Sequence, residues 1–227
     1  MKQGIPIGRE ELVTIPAGRV RIEGSLEVPE AAPGIVVFAH GSGSGRFSPR
    51  NQYVARVLRE AGFGTLLIDL LTADEEHAEE RGAQLRFDIE LLSKRLMAAA
   101  DWLEQRGGAD LGIGYFGAST GAGAALLAAA EQTHTIRAVV SRGGRPDLAG
   151  AALPRVLAPT LLIVGGNDPV VIELNRDALE GLACREKKLV IVPGATHLFE
   201  EPGTLERVAE LASEWFESYM GAAFRSH

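Results

Sequence analysis

The sequence has one cysteine, no apolar run long enough to cross a bilayer, no internal repeat, and fewer basic than acidic side chains. Each shortage excludes something. A single thiol, Cys184, rules out a disulfide framework and a cysteine-based zinc site. The longest strongly apolar stretch, Gly121 to Ala130, falls well short of the roughly 20 residues that span hydrocarbon. The opening MKQGIPIGREE lacks the apolar core of a signal peptide, so a cytoplasmic protein with no membrane partner is expected. With 23 Lys and Arg against 30 Asp and Glu, a net charge of −7, the surface as a whole does not suit nucleic acid. No linker-like stretch divides the 227 residues, and one domain over 1–227 is expected.

What is plentiful is glycine, 27 residues or about 12% where roughly 7% is average. The 46% apolar content is that of an ordinary packed core. Two strand-like segments, Leu12–Ile15 and Arg19–Val28, flank Pro16-Ala17-Gly18 and read as a hairpin. Short apolar, β-branched runs follow at 35–39, Thr65–Asp69, Leu111–Phe116, Ala138–Ser141, Thr160–Val164 and Leu189–Val192. Between them come helical stripes, such as Leu85, Ile89, Leu92, Leu96, Ala99 and Leu103. Alternating strands and helices predict an α/β fold, a mostly parallel sheet with helices on both faces and the hairpin at one edge. Ligands in such sheets bind beyond the carboxyl ends of the strands, and chemistry is to be sought there.

At one of those ends stands Gly117-Ala118-Ser119-Thr120-Gly121, between a strand and the helix-forming AGAALLAAA. Gly-x-Ser-x-Gly in a strand–turn–helix setting is the pattern of a nucleophile elbow, a sharp turn that lifts the serine hydroxyl clear of the sheet. Serine needs a base, and the base an orienting carboxylate. In the elbow architecture the acid and then the histidine follow the serine, each after a later strand. Asp168, after Gly165-Gly166-Asn167, and His197, in Pro193-Gly194-Ala195-Thr196-His197, arrive in that order. Asp168 before Pro169 is also what a turn or helix cap looks like, with Asp147 in reserve for the acid and Asp69 below it. The other histidines fit worse: His40 precedes the serine, His77 lies in an acidic stretch, His134 follows a helix and His227 ends the chain. For the oxyanion of a tetrahedral intermediate, the N–H of Thr120 supplies one donor, and the loop His40-Gly41-Ser42-Gly43-Ser44-Gly45 a second, Ser42 first and Gly43 in reserve. That loop lacks both the Gly-Lys-Ser/Thr of a P-loop and the GxGxxG spacing of a dinucleotide site.

With HGSGSGRFSPRN, TLLIDLLTADEE, GYFGASTGA, VVSRGGRPDL, LLIVGGNDPVV and VPGATHLFEEPG, nearly the whole chain resembles the α/β-hydrolase superfamily, and within it the dienelactone hydrolase-like branch. The resemblance implies an α/β-hydrolase fold with a Ser119–Asp168–His197 triad that cleaves small-molecule esters without metal or organic cofactor. Dienelactone hydrolases proper carry a cysteine nucleophile; position 119 is serine, which favours a carboxylesterase, with thioesterase or lactonase activity as variants. Cys184 lies away from the elbow and reads as a packing thiol.

Only about 18 residues separate the strands at 138–141 and 160–164, so no large lid is expected there, and an open pocket suits short-acyl substrates. Four arginines fall in strand-end loops: Arg46, Arg50, Arg142 and Arg145. Arg142, Arg145 or Arg46 is read either as a grip on an anionic substrate group or as a structural partner of acids such as Asp69, Asp147 or Glu75. The acidic stretch Asp74–Glu80 is expected to be a solvated loop. The competing class is a non-catalytic binding module of the same fold, which has no need of an intact triad.

Overall fold

The computed structural model describes residue 5 and residues 7–107 and 111–221. The described residues form an eight-stranded sheet: β1 (Glu10–Ala17), β2 (Val20–Glu27), β3 (Gly34–Ala39), β4 (Gly64–Ile68), β5 (Gly112–Ala118), β6 (Ile136–Arg142), β7 (Thr160–Gly165) and β8 (Lys187–Val192). The spatial order is β1-β2-β4-β3-β5-β6-β7-β8. β1 and β2 pair antiparallel, β2 joins β4 antiparallel, and every pairing from β4 to β8 is parallel. The hairpin turn is tighter than the expected Pro16-Ala17-Gly18. Ala17 pairs with Val20, which leaves Gly18 and Arg19 at the turn, with Gly18 at φ +70°. Pro16 belongs to β1, an edge strand, where a missing N–H costs no ladder bond.

β3 and β4 are buried along their whole length, because helices cover both faces. Side chains alternate between two apolar layers. Ile35, Val37 and Tyr115 face α3 (Ile89–Gln105) and α4 (Thr120–Glu131). Val36, Phe38, Phe116 and Val140 face α1 (Pro49–Glu60) and α6 (Thr204–Met220). At about 1.5–3 kcal/mol for each large side chain removed from water, these two layers are the dominant stabilising term. α5 (Pro169–Gly181) covers the β7–β8 end. The β6–β7 connection is a short run of 3-10 turns, Pro146–Arg155, packed on α4, and no lid domain is inserted in it.

The acidic stretch departs from expectation: it is a helix, α2 (Ala73–Glu80), not a loop. Its start is a capping box. Glu75 N–H donates to Thr72 Oγ1 at 3.2 Å, and Thr72 N–H donates to Glu75 Oε2 at 2.8 Å. Asp74, Glu75 and Glu76 occupy the first turn, where the helix dipole favours negative charge. Glu75 also accepts from Arg95 at 2.7 Å, which ties α2 to α3.

The chain leaves β3 for β4 on one side of the sheet, and β5 lies on the other side of β3. The carboxyl ends of β3 and β5 therefore flank a topological switch point, the place where such sheets open a crevice. The Gly41–Gly45 loop leaves one end and Ser119 the other.

Candidate active site

Ser119 follows β5 and precedes α4 with φ 51° and ψ −122°, a region costly for a residue with a side chain. The turn is locked from both sides. Ser119 N–H donates to Arg142 O at 3.2 Å, while its carbonyl accepts from Ala122 N–H and Arg145 N–H at 3.1 and 3.0 Å. The flanking glycines are there for want of room. A Cβ on Gly117 would lie 2.4 Å from Ala122 Cα, and one on Gly121 would lie 2.3 Å from Ala39 O.

His197 and Asp168 reach the serine from loops after β8 and β7. Asp168 Oδ2 lies 2.7 Å from His197 Nδ1, and His197 Nε2 lies 3.4 Å from Ser119 Oγ. Asp168 stands at the N-cap position of α5 but makes no cap bond, so its carboxylate is given to the imidazole. The two loops are stitched together. Asn167 Nδ2 donates to Gly194 O at 2.9 Å, Asn167 N–H to Ala195 O at 2.9 Å, and Thr196 N–H to Glu201 Oε2 at 3.0 Å. The carboxylate fixes the proton on Nδ1 and leaves Nε2 as an acceptor facing the hydroxyl, so the arrangement can draw a proton from serine. Asp147, the reserve acid, is bound elsewhere: both its oxygens accept from Arg145 at 2.8 and 2.7 Å. Asp69 is engaged by Arg46.

The Thr120 N–H begins α4 and so has no acceptor within the helix. The Ser42 N–H is present on the facing loop but already donates to Thr120 Oγ1 at 3.0 Å. That side-chain contact was not read from the sequence; a hydroxyl directly after the nucleophile was its only sign. His40 anchors the same loop. Its Nε2 accepts from Leu70 N–H at 3.0 Å and its Nδ1 lies 2.9 Å from Gly41 O, so a neutral ring with the proton on Nδ1 satisfies both. Burial holds its pKa below the ordinary 6.5, against the raising effect of the Gly41 carbonyl and of Asp69 and Glu76. His77 lies in α2 and His134 in the turn after α4, away from the serine; His227 lies outside the described residues.

Three of the four arginines are paired. Arg46 binds Asp69 through both its N–H and guanidinium, and Glu23 at 2.7 Å. Arg145 grips Asp147, and Arg50 meets Glu200 at 3.0 Å. Arg142 is only 8% exposed, and its Nε and Nη1 are buried with no hydrogen-bond partner. Burial, and secondarily the charge of Arg50, lowers its pKa to about 10, so the group is still a cation at neutral pH.

Beside Ser42 and Thr120 opens a cleft of about 1010 Å³, running under Gly43–Phe47 and past Leu70–Asp74 to Glu79 and Arg86. Phe47 on its wall, Val170 two residues after Asp168 and Leu198 next in sequence to His197 are exposed apolar side chains. Among the described residues no cluster of His, Cys, Asp and Glu is arranged to hold a metal, and no helix is long and apolar enough to cross a membrane. Cys184 is buried, and burial raises its pKa, as befits a packing thiol.

A parallel sheet with an antiparallel N-terminal pair, a serine elbow at the switch point and no lid define the α/β-hydrolase class. The dienelactone hydrolase family profile matches residues 22–223, and the chain belongs to that family of hydrolases. A crystal structure of a dienelactone hydrolase from Anabaena variabilis is 60% identical, with a TM-score of 0.91 over 93% of this chain and 98% of that one. The fold is shared more distantly with a lidless α/β serine hydrolase from Xanthomonas campestris, at 19% identity and TM-score 0.76 over 96% of this chain and 99% of that one. Est1E from Butyrivibrio proteoclasticus, at 17% identity, also gives 0.76, over 91% and 98%. Two Mycobacterium tuberculosis proteins, provisionally named phosphoribosyl transferases, are 60% identical over 213 residues, 93% of this chain. The chain spans about half the length of these curated relatives, 47%.

Proposed function

We propose that the protein is a serine hydrolase that cleaves small carboxylic esters through an acyl-enzyme. The observation that carries this reading is the relay itself: carboxylate to imidazole at 2.7 Å and imidazole to a hydroxyl held at positive φ at 3.4 Å. Ser119 Oγ attacks the ester carbonyl carbon as its proton passes to His197 Nε2. Asp168 stabilises the imidazolium without taking its proton. The carbonyl oxygen, now an anion, is received by the N–H groups of Thr120 and Ser42, the second released from Thr120 Oγ1 as the substrate enters. Removing one such donor commonly costs about 3 kcal/mol of transition-state stabilisation. Collapse of the intermediate expels the alcohol, which takes the proton from His197. Water, deprotonated by the same imidazole, then attacks the acyl carbon and frees the acid and Ser119.

The lidless β6–β7 connection and the open cleft favour short acyl groups, with Phe47, Val170 and Leu198 as apolar contacts. The transferase name belongs to proteins about twice this length, and the chemistry in the matched half is assigned here to hydrolysis. The test is turnover of p-nitrophenyl butyrate by wild type and Ser119→Ala. A loss of about 10³-fold or more in kcat for the variant, with KM within a few-fold, is expected. A wild type inert toward a panel of short oxygen esters, thioesters and lactones would favour the binding-module reading.

A further inference from the structure

Thr120 stands directly after the nucleophile, and its side chain makes a contact that its place in the helix does not require. A threonine in the first turn of a helix ordinarily bonds its hydroxyl to nearby backbone of the same turn. Here Thr120 Oγ1 reaches across the crevice and accepts the Ser42 N–H at 3.0 Å. A hydroxyl that accepts one bond still has its own proton to give. Among the described residues no group receives that proton. Thr120 is only 5% exposed, so the donor is also held out of bulk water. A buried donor is costly until something accepts from it. What opens beside it is the cleft, whose wall contains both Thr120 and Ser42.

The hydroxyl is held in place from two sides. On the α4 side, Ser119 O accepts from Ala122 N–H and Arg145 N–H, which fixes the turn that carries Thr120. On the other side the Gly41–Gly45 loop is pinned at both ends. His40 Nε2 accepts from Leu70 N–H at 3.0 Å, and Asp69 Oδ1 accepts from Arg46 N–H at 2.7 Å. Gly41 lies against the nucleophile, where a Cβ would stand 3.1 Å from Ser119 Cβ. An oxyanion formed at Ser119 and met by the N–H groups of Thr120 and Ser42 therefore lies beside Oγ1, which one of those residues carries and the other binds. An alkoxide oxygen has one more lone pair than two backbone N–H groups fill.

We propose that the Thr120 hydroxyl, as distinct from its N–H, is a further catalytic donor: as the Ser42 N–H turns from Oγ1 to the oxyanion, Oγ1–H turns to it as well. This deepens the hydrolase reading and rests on it. No proton is transferred. Thr120 keeps its hydrogen, and the bond strengthens as the carbonyl oxygen gains charge. In the free enzyme the same hydroxyl satisfies the Ser42 N–H, so the donors are assembled before the substrate arrives.

Thr120→Val replaces the hydroxyl with a methyl of similar size, and Thr120→Ser keeps it. On p-nitrophenyl butyrate, Thr120→Val is expected to lower kcat by about 10²-fold with KM within a few-fold, and Thr120→Ser to recover most of the loss. Thr120→Ala, which brings no methyl against Ser42, is expected to lose as much and carries the test if the valine variant does not fold. The matching thionoester, with sulfur in place of the carbonyl oxygen, separates a donor from a loop support, because sulfur accepts hydrogen bonds weakly. The ester-to-thionoester ratio of kcat/KM is expected to fall about tenfold or more in Thr120→Val. Equal losses on both substrates would make Thr120 a loop support and overturn the proposal. Turnover unchanged or raised in Thr120→Val would overturn it as well, because the hydroxyl would then only occupy the Ser42 N–H. Butyl trifluoromethyl ketone, whose adduct with Ser119 is itself an oxyanion, gives a second readout. Its inhibition constant is expected to rise about 10²-fold in Thr120→Val and little in Thr120→Ser. Wild type inert toward ester and ketone alike would bring down the hydrolase reading and this proposal together. Wild-type turnover with no loss in Thr120→Val would bring down the proposal alone.

Discussion

Asp168 could cap α5 or orient His197, and the geometry gives its carboxylate to the histidine. Asp168→Asn should therefore lower kcat by about 10³–10⁴-fold, because an amide favours the wrong imidazole tautomer. Its unfolding midpoint should move little, since no cap bond is lost; steady-state kinetics and urea titration of one sample check both. His40 has the opposite profile, structural in contact and sensitive to pH. Its pKa is depressed in the folded state, so its contribution to stability is present above 6.5 and is lost as pH falls through the lower folded value. Protonation would place a proton on Nε2 against the Leu70 N–H. Urea midpoints measured from pH 8 down to 5 should fall at the acid end, and the slope should flatten in His40→Gln. Arg142 carries the reverse cost. Burial lowers the pKa of its guanidinium to about 10, and holding that cation away from water costs the fold stability at neutral pH. Arg142→Met should recover a good part of that in the urea midpoint.

The elbow is set by packing at the level of strand and helix. Gly121 brings the first turn of α4 against the end of β3, where Ala39 and His40 present their carbonyl oxygens within 2.4 Å of any Cβ. Gly121→Ala has to push α4 away from β3, so a stability loss of about 2 kcal/mol or more is expected, with activity lost in the fraction that folds. Thermal melts and residual turnover read the two losses separately. This element was legible in the sequence because the elbow is a local pattern of small residues between a strand and a helix. α2 was less so. Its Asp74–Glu80 run has no apolar stripe, the signal by which amphipathic helices are found, yet the Thr72-x-x-Glu75 box before it was a sequence-level start signal. The hairpin turn was placed too early for a related reason: Pro16 looks like a turn residue until its strand is known to lie at an edge.

For the whole molecule, strand alternation and chain order were enough to predict a parallel sheet and to bring Ser119, Asp168 and His197 to one edge of it. Their spacings in sequence, 49 and 29 residues, say nothing of distance; the sheet order does. What stayed illegible was pairing between side chains from distant segments. Arg46 with Asp69, Arg145 with Asp147 and the Ser42 N–H with Thr120 Oγ1 depend on rotamers and loop paths that no pattern encodes. The glycine surplus now has a physical meaning at this scale: at Gly117 and Gly121 it lets backbone meet backbone beneath the reactive serine. The central claim, that Ser119 is the activated nucleophile, is tested most directly by labelling wild type with a fluorophosphonate and mapping the modified peptide by mass spectrometry. The account predicts a single adduct, on Ser119, whose extent tracks the loss of ester turnover and which is absent in Ser119→Ala. Labelling at another residue, or turnover that survives full modification of Ser119, would contradict it.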